Sequence, residues 1–518
     1  MISIPVSRAI LPALAGGFVV FAVTLAAADA LNFPTVRTDL SADTLKRVRD
    51  VTRPTADFSK AEPYEAMQGG AATSIDPITR DIFSQPSANL NQEQGQDFHL
   101  GNALFRKLWV SAPSSTQASD GLGPLFNARS CQSCHIRDGR GHPPETAGAA
   151  ATSMVLRLAR PPVTPEEERA VRDFHALNFP DSTYGVQLQD LAVPGLAAEG
   201  KVTVRYSEEA VPLAGETVTL RKPHYGVTDL AYGPFEQTTT LSPRIAPPMI
   251  GLGLIEAIPD ADILAHADPD DTDADGIRGR AAMVRDHRTG QLALGRFGWK
   301  AQNASVRDQV ADAFLNDIGI STPDQPNAYG DCTVKEARCL AMPTGVQKRL
   351  GDTEAPGPIL DLVTFYSENL AVPARRKASF PDVVHGKEIF YQSGCAACHT
   401  PKFVTRDDLK GSDGKATAQA FQLIWPYSDF LLHDMGDGLS DGQQVGVASG
   451  RDWRTPPLWG IGLTQTVSGQ QAYLHDGRAR TLTEAILWHG GEAEKARNTF
   501  ANLPQGDRQA LINFLESL

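Results

Sequence analysis

Apolar side chains recur at helical spacing along much of this chain. From Leu90 onward, Phe98, Leu104, Phe105 and Leu108 are spaced to form one apolar face, as in an amphipathic helix. The same spacing predicts helices over residues 310–318, 359–370, 385–391 and 507–518. These patterns predict a mainly α-helical fold.

Residues 152–240 follow a different pattern. Within this stretch, residues 202–206 and 217–221 alternate apolar and polar side chains between turns that contain glycine and proline, which is typical of β-strands. We therefore predict a β-rich insertion at about 152–240 in an otherwise helical protein.

The first thirty residues have the pattern of a signal peptide. Arg8 gives a positive start, residues 9–25 are nearly all apolar or small, and residues 26–30 supply a small-x-small cleavage site. An uncleaved anchor is the alternative. After residue 30, no stretch of sequence approaches the roughly 20 apolar residues that cross a bilayer, so no further membrane span is predicted.

The length of the chain indicates how many domains to expect, and its net charge disfavours some classes of partner. A chain of 518 residues exceeds one ordinary core, so two or three domains are expected. The formal net charge of −13 disfavours nucleic acid and anionic membranes, which need a basic surface. A cationic partner would be steered well, although the acidity can equally serve solubility.

Two copies of one pentapeptide carry the chemistry: Cys131-Gln-Ser-Cys134-His135 and Cys395-Ala-Ala-Cys398-His399. Cys-x-x-Cys-His is the attachment sequence of a c-type haem, in which both sulfurs bind the porphyrin and the histidine binds the iron. We therefore expect two covalently bound haem c groups. The alternatives are zinc knuckles and a redox-active dithiol, although zinc sites usually place their histidines on a separate element.

The haem motifs and the leader together indicate the bacterial periplasm, because haem is attached outside the cytoplasmic membrane. The two remaining cysteines, Cys332 and Cys339, lie close in sequence, and in an oxidising compartment they most simply form a disulfide. A redox-active pair is the alternative.

The motifs divide the chain into predicted segments. Each motif is expected to lie in a cytochrome c-like domain, where a few helices and loops wrap one haem. The segments are a signal peptide at 1–30, an N-terminal extension at 31–89, a first haem domain at 90–358, a linker helix at 359–375 and a C-terminal haem domain at 376–518.

Two further stretches suggest ligands. Asp271, Asp273 and Asp275 have the D-x-D-x-D-G spacing of a calcium loop, but Ala282 stands where an EF-hand has its bidentate glutamate. The spacing is compatible with a calcium site and with a solvated acidic turn. After the first motif, Arg137 and Arg140 are suited to bind haem propionates, or they belong to an exposed charged loop.

These features occur together in a known family. Residues 120–141, 242–258, 294–319, 431–442 and 454–493 resemble the di-haem oxidoreductases, also described as CxxC-containing thiol oxidoreductases. That family lies within the superfamily of bacterial di-haem cytochrome c peroxidases and tryptophan-tryptophylquinone maturation enzymes. The resemblance implies two cytochrome c-like domains that face each other, with a tryptophan between them. Trp299 matches that tryptophan, or is an ordinary core aromatic.

The resemblance also implies iron ligands in the C-terminal domain. Residues 473–478, Tyr-Leu-His-Asp-Gly-Arg, and the helix that follows match a peroxidase pattern whose helix ends in the distal ligand, and His489 falls at that place. We therefore predict bis-histidine ligation by His399 and His489, and hence a lower potential than a His/Met haem has. His433 and His475 are expected to be structural.

The first haem is expected to keep an open iron position beside His135. Peroxidases have a labile distal histidine in the region that matches residues 147–157; here Met154 is the one candidate ligand, or it is a core methionine. No spacing selects among His142, His224 and His287. The superfamily uses a glutamate after the bridging tryptophan as acid/base, and Asp317 is the substitute here, or it is a solvated carboxylate near a helix end. This departure puts ordinary peroxidase activity in doubt.

Together these residues predict an exported di-haem c-type oxidoreductase that is peroxidase-like. Electrons from a donor such as a small cytochrome c or a cupredoxin would enter at the C-terminal haem and cross by Trp299 to the first haem, with hydrogen peroxide or another small oxidant as acceptor. The alternatives are a non-catalytic di-haem electron carrier and a haem-binding or metal-handling protein without turnover.

Overall fold

The computed structural model describes residues 33–116, 119–144, 151–411 and 414–518. The predicted signal peptide lies outside these residues. Across the described ranges, no helix is both long enough and apolar enough to cross a membrane.

Helices and short strands alternate along the described chain. The α-helices are α1 Ala42–Thr52, α2 Gln92–Arg106, α3 Cys131–Cys134, α4 Pro165–Arg172, α5 Leu252–Glu256, α6 Asp260–Leu264, α7 Val306–Asp317, α8 Gly357–Glu368, α9 Pro381–Gln392, α10 Thr464–Ser468, α11 Leu482–Leu487, α12 Glu494–Asn502 and α13 Gln505–Ser517. The strands are β1 Val110–Ser111, β2 Asp120–Leu122, β3 Leu125–Phe126, β4 Met154–Ala159, β5 Leu191–Ala192, β6 Lys201–Leu213, β7 Glu216–Thr228, β8 Thr240–Ile245, β9 Ala282–Arg285, β10 Leu292–Gly295, β11 Phe403–Val404, β12 Leu423–Ile424, β13 Leu432–Asp434 and β14 Asp452–Arg454.

The fold is mixed α/β, so the prediction of a mainly α-helical protein is too narrow. The described strands pair two at a time, and two of the pairs, β3 with β5 and β4 with β8, join strands that are not consecutive along the chain. Most of the strands are two to four residues long. Such short strands carry little alternating pattern of their own, which is why periodicity did not predict them.

The longest strands form one hairpin. β6 and β7 have 13 residues each and pair antiparallel along their whole length, from Lys201 opposite Thr228 to Leu213 opposite Glu216. Gly215 makes the two-residue turn at φ +85°, a conformation that glycine adopts without a steric penalty. Both predicted strand segments lie within this hairpin.

Two hydrophobic clusters form the core, one around each pentapeptide. The first contains Phe105 of α2 and Val363 of α8, and Cys131 packs against it. The second contains Phe390 of α9 and Phe514 of α13, and Cys395 packs against it.

A glycine brings the main helix pair of each cluster together. A Cβ on Gly101 of α2 would collide with the carbonyl oxygen of Leu362 in α8, and one on Gly386 of α9 would collide with that of Ala510 in α13. These close crossings place a phenylalanine beside each motif histidine. The ring centroids of Phe105 and His135 are 6.2 Å apart, and those of Phe390 and His399 are 6.1 Å apart.

The N-terminal segment is tied to the C-terminal part of the chain by buried ion pairs. Glu65, 1 % exposed, contacts Arg375 and accepts a 2.9 Å hydrogen bond from Lys387 of α9. Glu62 accepts hydrogen bonds from Lys387 and Lys402. Because removing one partner of a buried pair leaves an uncompensated charge, this segment is part of the fold.

The glycine at the α9–α13 crossing gives a stability prediction. Gly386→Ala is expected to destabilise the protein by about 1–3 kcal/mol or more, since α13 must move to admit the methyl group. The matched control is Gly95→Ala in α2, where nothing lies within 4 Å of the new Cβ and a gain of about 0.5–1 kcal/mol is expected. Chemical denaturation of both variants measures the difference, and equal stabilities would contradict the close crossing.

Candidate functional site

The first pentapeptide begins with one helical turn. α3 carries Cys131 and Cys134, and the backbone N–H of His135 donates to the carbonyl of Cys131 at 3.0 Å. The imidazole Nδ1 of His135 lies 2.9 Å from the carbonyl oxygen of Pro247. A carbonyl only accepts, so Nδ1 carries the proton and the lone pair of Nε2 is free to bind a metal.

The second pentapeptide repeats this arrangement. Cys395–Ala397 form a 3₁₀ turn, and the backbone N–H of His399 donates to the carbonyl of Cys395 at 3.0 Å. Nδ1 of His399 lies 2.8 Å from the carbonyl oxygen of Tyr427. Burial lowers the pKa of both His135 and His399 to about 4, so both rings are neutral ligands at neutral pH.

A third histidine has the same arrangement. His489 follows α11, and its Nδ1 lies 2.8 Å from the carbonyl oxygen of Ala485. Burial lowers its pKa as well, and a charge on His489 is one of the smaller causes that lower the pKa of His399. Each of the three histidines predicted to bind iron thus has its Nδ1 on a backbone carbonyl.

The four motif cysteines are free thiols. Burial raises the pKa of Cys131 and of Cys395 to about 12. Reactive dithiols instead have a thiol pKa that is lowered towards neutrality. The thiol environment therefore weighs against the redox-active dithiol.

A cavity lies beside the first pentapeptide. Cys131, Cys134, His135 and Trp299 all contribute to its lining. Arginines from separate parts of the chain also line it: Arg140, Arg157, Arg244, Arg296 and Arg454.

Arg140 shows what kind of group fits this cavity. Its side chain is buried, and its Nε and Nη1 have no hydrogen-bond partner within the protein. Burial lowers its pKa to about 10, which leaves it cationic at neutral pH. A buried guanidinium with free donors needs an anionic acceptor, and haem propionates are such acceptors. The free cysteine pair, the oriented imidazole and Arg140 all fit a haem at this site.

Comparison with known families agrees with this geometry. The family model described as "Di-haem oxidoreductase, putative peroxidase" matches residues 64–518. The chain belongs to this di-haem oxidoreductase family. A search of curated proteins finds no match.

Trp299 of this di-haem oxidoreductase connects the two halves of the molecule. Its ring lines the cavity of the first motif and packs in the hydrophobic cluster around the second. Its Nε1 donates to the carbonyl of Ile245 at 2.8 Å, and the guanidinium carbon of Arg140 lies 5.7 Å from its ring centroid. This position is compatible with the predicted bridge.

Asp317 ends α7 and lines the same cavity. Its Oδ1 accepts a 2.8 Å hydrogen bond from Nε2 of Gln187. Burial raises its pKa, and the charge of Arg157 opposes part of that rise. The carboxyl group is therefore buried at the cavity instead of solvated at a helix end.

The other candidate ligands have other partners. His475 stacks on Trp453 with ring centroids 3.7 Å apart, and His433 lies between two carboxylates described below. His142 contacts the carbonyl of Pro143, and Met154 is buried in the second core cluster. His224 contacts the hydroxyl of Ser207, and His287 contacts the amide of Gln325.

The acidic loop differs in detail from the predicted calcium site. Asp268, Asp271 and Asp273 offer oxygens that lie within 4.8 Å of one another, whereas Asp275 accepts a hydrogen bond from the backbone N–H of Ile277 at 2.8 Å. The cluster of three aspartates thus begins at Asp268, three residues before the predicted first ligand, Asp271. Calcium binding stays a prediction.

The disulfide between Cys332 and Cys339 is confirmed, with Cα atoms 6.0 Å apart. Asp331, next to the disulfide, accepts hydrogen bonds from the backbone N–H groups of Val186 and Gln187. These bonds fix the segment that carries Gln187. Gln187 in turn donates to Asp317.

Some residues of the site were not predicted from the sequence. Arg244 and Arg454 line the cavity, and Asp429 and Glu492 hold His433, but none belongs to a motif whose spacing signals a ligand. The tertiary structure brings them together.

Proposed function

We propose that this protein is an exported di-haem c-type cytochrome with peroxidase-like activity. Electrons would pass from a bis-histidine haem at Cys395, Cys398 and His399 to a haem at Cys131, Cys134 and His135 whose distal side is open. Hydrogen peroxide is the favoured acceptor.

The asymmetry between the two motifs carries this proposal. Near the second motif, His399 and His489 both have Nδ1 bound to a carbonyl and Nε2 free, as expected for two axial ligands of one iron. Among the described residues that line the cavity of the first motif, His135 is the one imidazole. This leaves room for a small oxidant there.

Haem would supply the redox chemistry, and the residues around the cavity have supporting roles. Asp317, with its raised pKa, is placed to give or take a proton at the cavity wall. Arg140 is placed to hold a propionate. The indole of Trp299 lies where an electron would cross between the two core clusters.

The electron donor and the compartment follow from the same proposal. A small cytochrome c or a cupredoxin is the expected donor, and a donor with a positively charged surface would be attracted by the net charge of −13. The disulfide between Cys332 and Cys339 is compatible with the periplasm, where oxidising conditions preserve such bonds.

A non-catalytic electron carrier is the rival. Met249 lines the cavity of the first motif and offers a thioether, which is a known axial ligand of c-type haem. If Met249 bound the iron, both haems would be six-coordinate and peroxide would find no free position.

Spectra of the purified ferric protein decide between the two functions. Electron paramagnetic resonance is expected to show one high-spin and one low-spin haem, and peroxide added after partial reduction should change the high-spin signal first. His489→Ala should convert the low-spin signal into a high-spin signal and leave the other haem unchanged, because it removes one ligand of the C-terminal iron. Two low-spin haems that peroxide leaves unchanged in both redox states would reject the enzyme and favour the carrier.

Haem attachment gives a second prediction. The mass of the mature protein is expected to equal the polypeptide plus two haems under denaturing conditions, because thioether bonds survive unfolding. A variant with Cys131 and Cys134 both replaced by alanine should carry one covalent haem, and the double variant at Cys332 and Cys339 should still carry two. Zinc in place of haem, removable by a chelator, would reject this prediction.

Electron crossing gives a third prediction. Trp299→Phe is expected to slow electron equilibration between the haems about tenfold, which corresponds to about 1.4 kcal/mol of barrier. Trp109→Phe is the control, since Trp109 is a buried tryptophan that packs on Phe314 in the first cluster. Rapid photoreduction followed by visible spectroscopy measures the rate. Equal rates in the two variants would remove Trp299 from the path.

A further inference from the structure

A buried histidine lies between two carboxylates beside the second pentapeptide. Nε2 of His433 is 2.8 Å from Oδ2 of Asp429, and its Nδ1 is 2.7 Å from Oε2 of Glu492. All three side chains are at most 7 % exposed. We call Asp429, His433 and Glu492 the His433 clamp.

This geometry fixes the charge of the ring. A carboxylate accepts hydrogen bonds, so an imidazole with a carboxylate at each nitrogen must donate from both and is an imidazolium. Burial alone would lower the pKa of His433, but the charge of Asp429 and its hydrogen bond raise it well above the ordinary value. One positive and two negative charges give the clamp a net charge of −1.

The charged ring also excludes a metal at this place. Cys398, Asp429 and His433 offer ligand atoms within 4.8 Å of one another, which is close enough for a metal ion. A metal would need the lone pair of an imidazole nitrogen, and both nitrogens of His433 are directed at carboxylates. The cluster therefore has a different role.

The clamp contacts the attachment side of the C-terminal site and lies close in sequence to the predicted distal ligand. On the attachment side, Sγ of Cys398 lies 3.7 Å from Nδ1 of His433, and the backbone N–H of Asp429 donates to the carbonyl of Cys398 at 2.9 Å. On the distal side, Glu492 follows His489 by three residues.

Glu492 fixes that distal loop to two other segments. Its carboxylate accepts hydrogen bonds from the backbone N–H of Asp434 at 2.9 Å and from that of Arg278 at 2.8 Å. One side chain thus joins the acidic loop, β13 and the segment that carries His489.

We propose that Glu492 is a positioning residue for the C-terminal haem. Through the net negative charge of the His433 clamp, Glu492 lowers the reduction potential of that haem. This inference rests on the proposed function, since it assumes a haem at Cys395 and Cys398. A fixed negative charge beside a haem favours ferric over ferrous iron, and burial weakens the screening of that charge by solvent. A lower potential makes this haem the better donor to the first one.

The test is the reduction potential of the low-spin haem, measured by spectroelectrochemistry on the full holoprotein. Glu492→Gln keeps the shape and removes one negative charge, so the potential is expected to shift to a more positive value. A tenfold change in the reduction equilibrium corresponds to about 59 mV for one electron. Glu492→Asp keeps the charge and should hold the potential near that of the wild type.

Glu494→Gln is the control, because Glu494 lies two residues on, is 58 % exposed and pairs with Arg497. A wild-type potential in Glu492→Gln would overturn the inference. Equal shifts in Glu492→Gln and Glu492→Asp would also overturn it, since they would report lost packing instead of lost charge. A wild type without a low-spin haem would reject the proposed function instead.

A measurement on the wild type covers the case in which Glu492→Gln does not accumulate. Nitrogen NMR of histidine-labelled reduced protein should show both ring nitrogens of His433 protonated at about pH 8, well above the ordinary histidine pKa of about 6.5. A neutral ring at that pH would overturn the inference.

Discussion

The hydrogen bond from an imidazole Nδ1 to a backbone carbonyl is the interaction on which the site depends. His135, His399 and His489 each make it, to Pro247, Tyr427 and Ala485. It fixes the tautomer, orients the ring and leaves Nε2 as the ligand. For His135 the acceptor is 112 residues away, so the ligand is oriented only when the tertiary structure has formed.

The two halves of the site are held together by segments that cross between them. Trp299 packs in the second cluster while lining the cavity of the first motif. The β6–β7 hairpin reaches the C-terminal region, where Arg221 donates to the carbonyls of Gly477 and Arg478. The distance between the motifs is therefore fixed by packing and hydrogen bonding.

The sequence predicted local features better than the contacts between distant ones. Both pentapeptides, the disulfide, the hairpin strands and the family were readable because each has a short pattern. The mixed α/β character was missed, since strands of two or three residues such as β13 have no periodicity of their own. Arg140 of the cavity was predicted from its position after the first motif. The other cavity arginines and the His433 clamp were missed for a related reason, because they come from separate segments and meet only in the folded chain.

Charge explains why these buried groups belong to a haem protein. A buried guanidinium without acceptors costs about 1–3 kcal/mol or more, and Arg140 has two such unpartnered nitrogens. An anionic group in the cavity would convert that cost into charge-assisted hydrogen bonds. The His433 clamp shows the opposite solution, because its three charged side chains are hydrogen-bonded to one another and leave a net charge of −1. At the first site an anionic cofactor would satisfy a polar group of the protein, whereas at the second site the charges of the protein are already paired with one another.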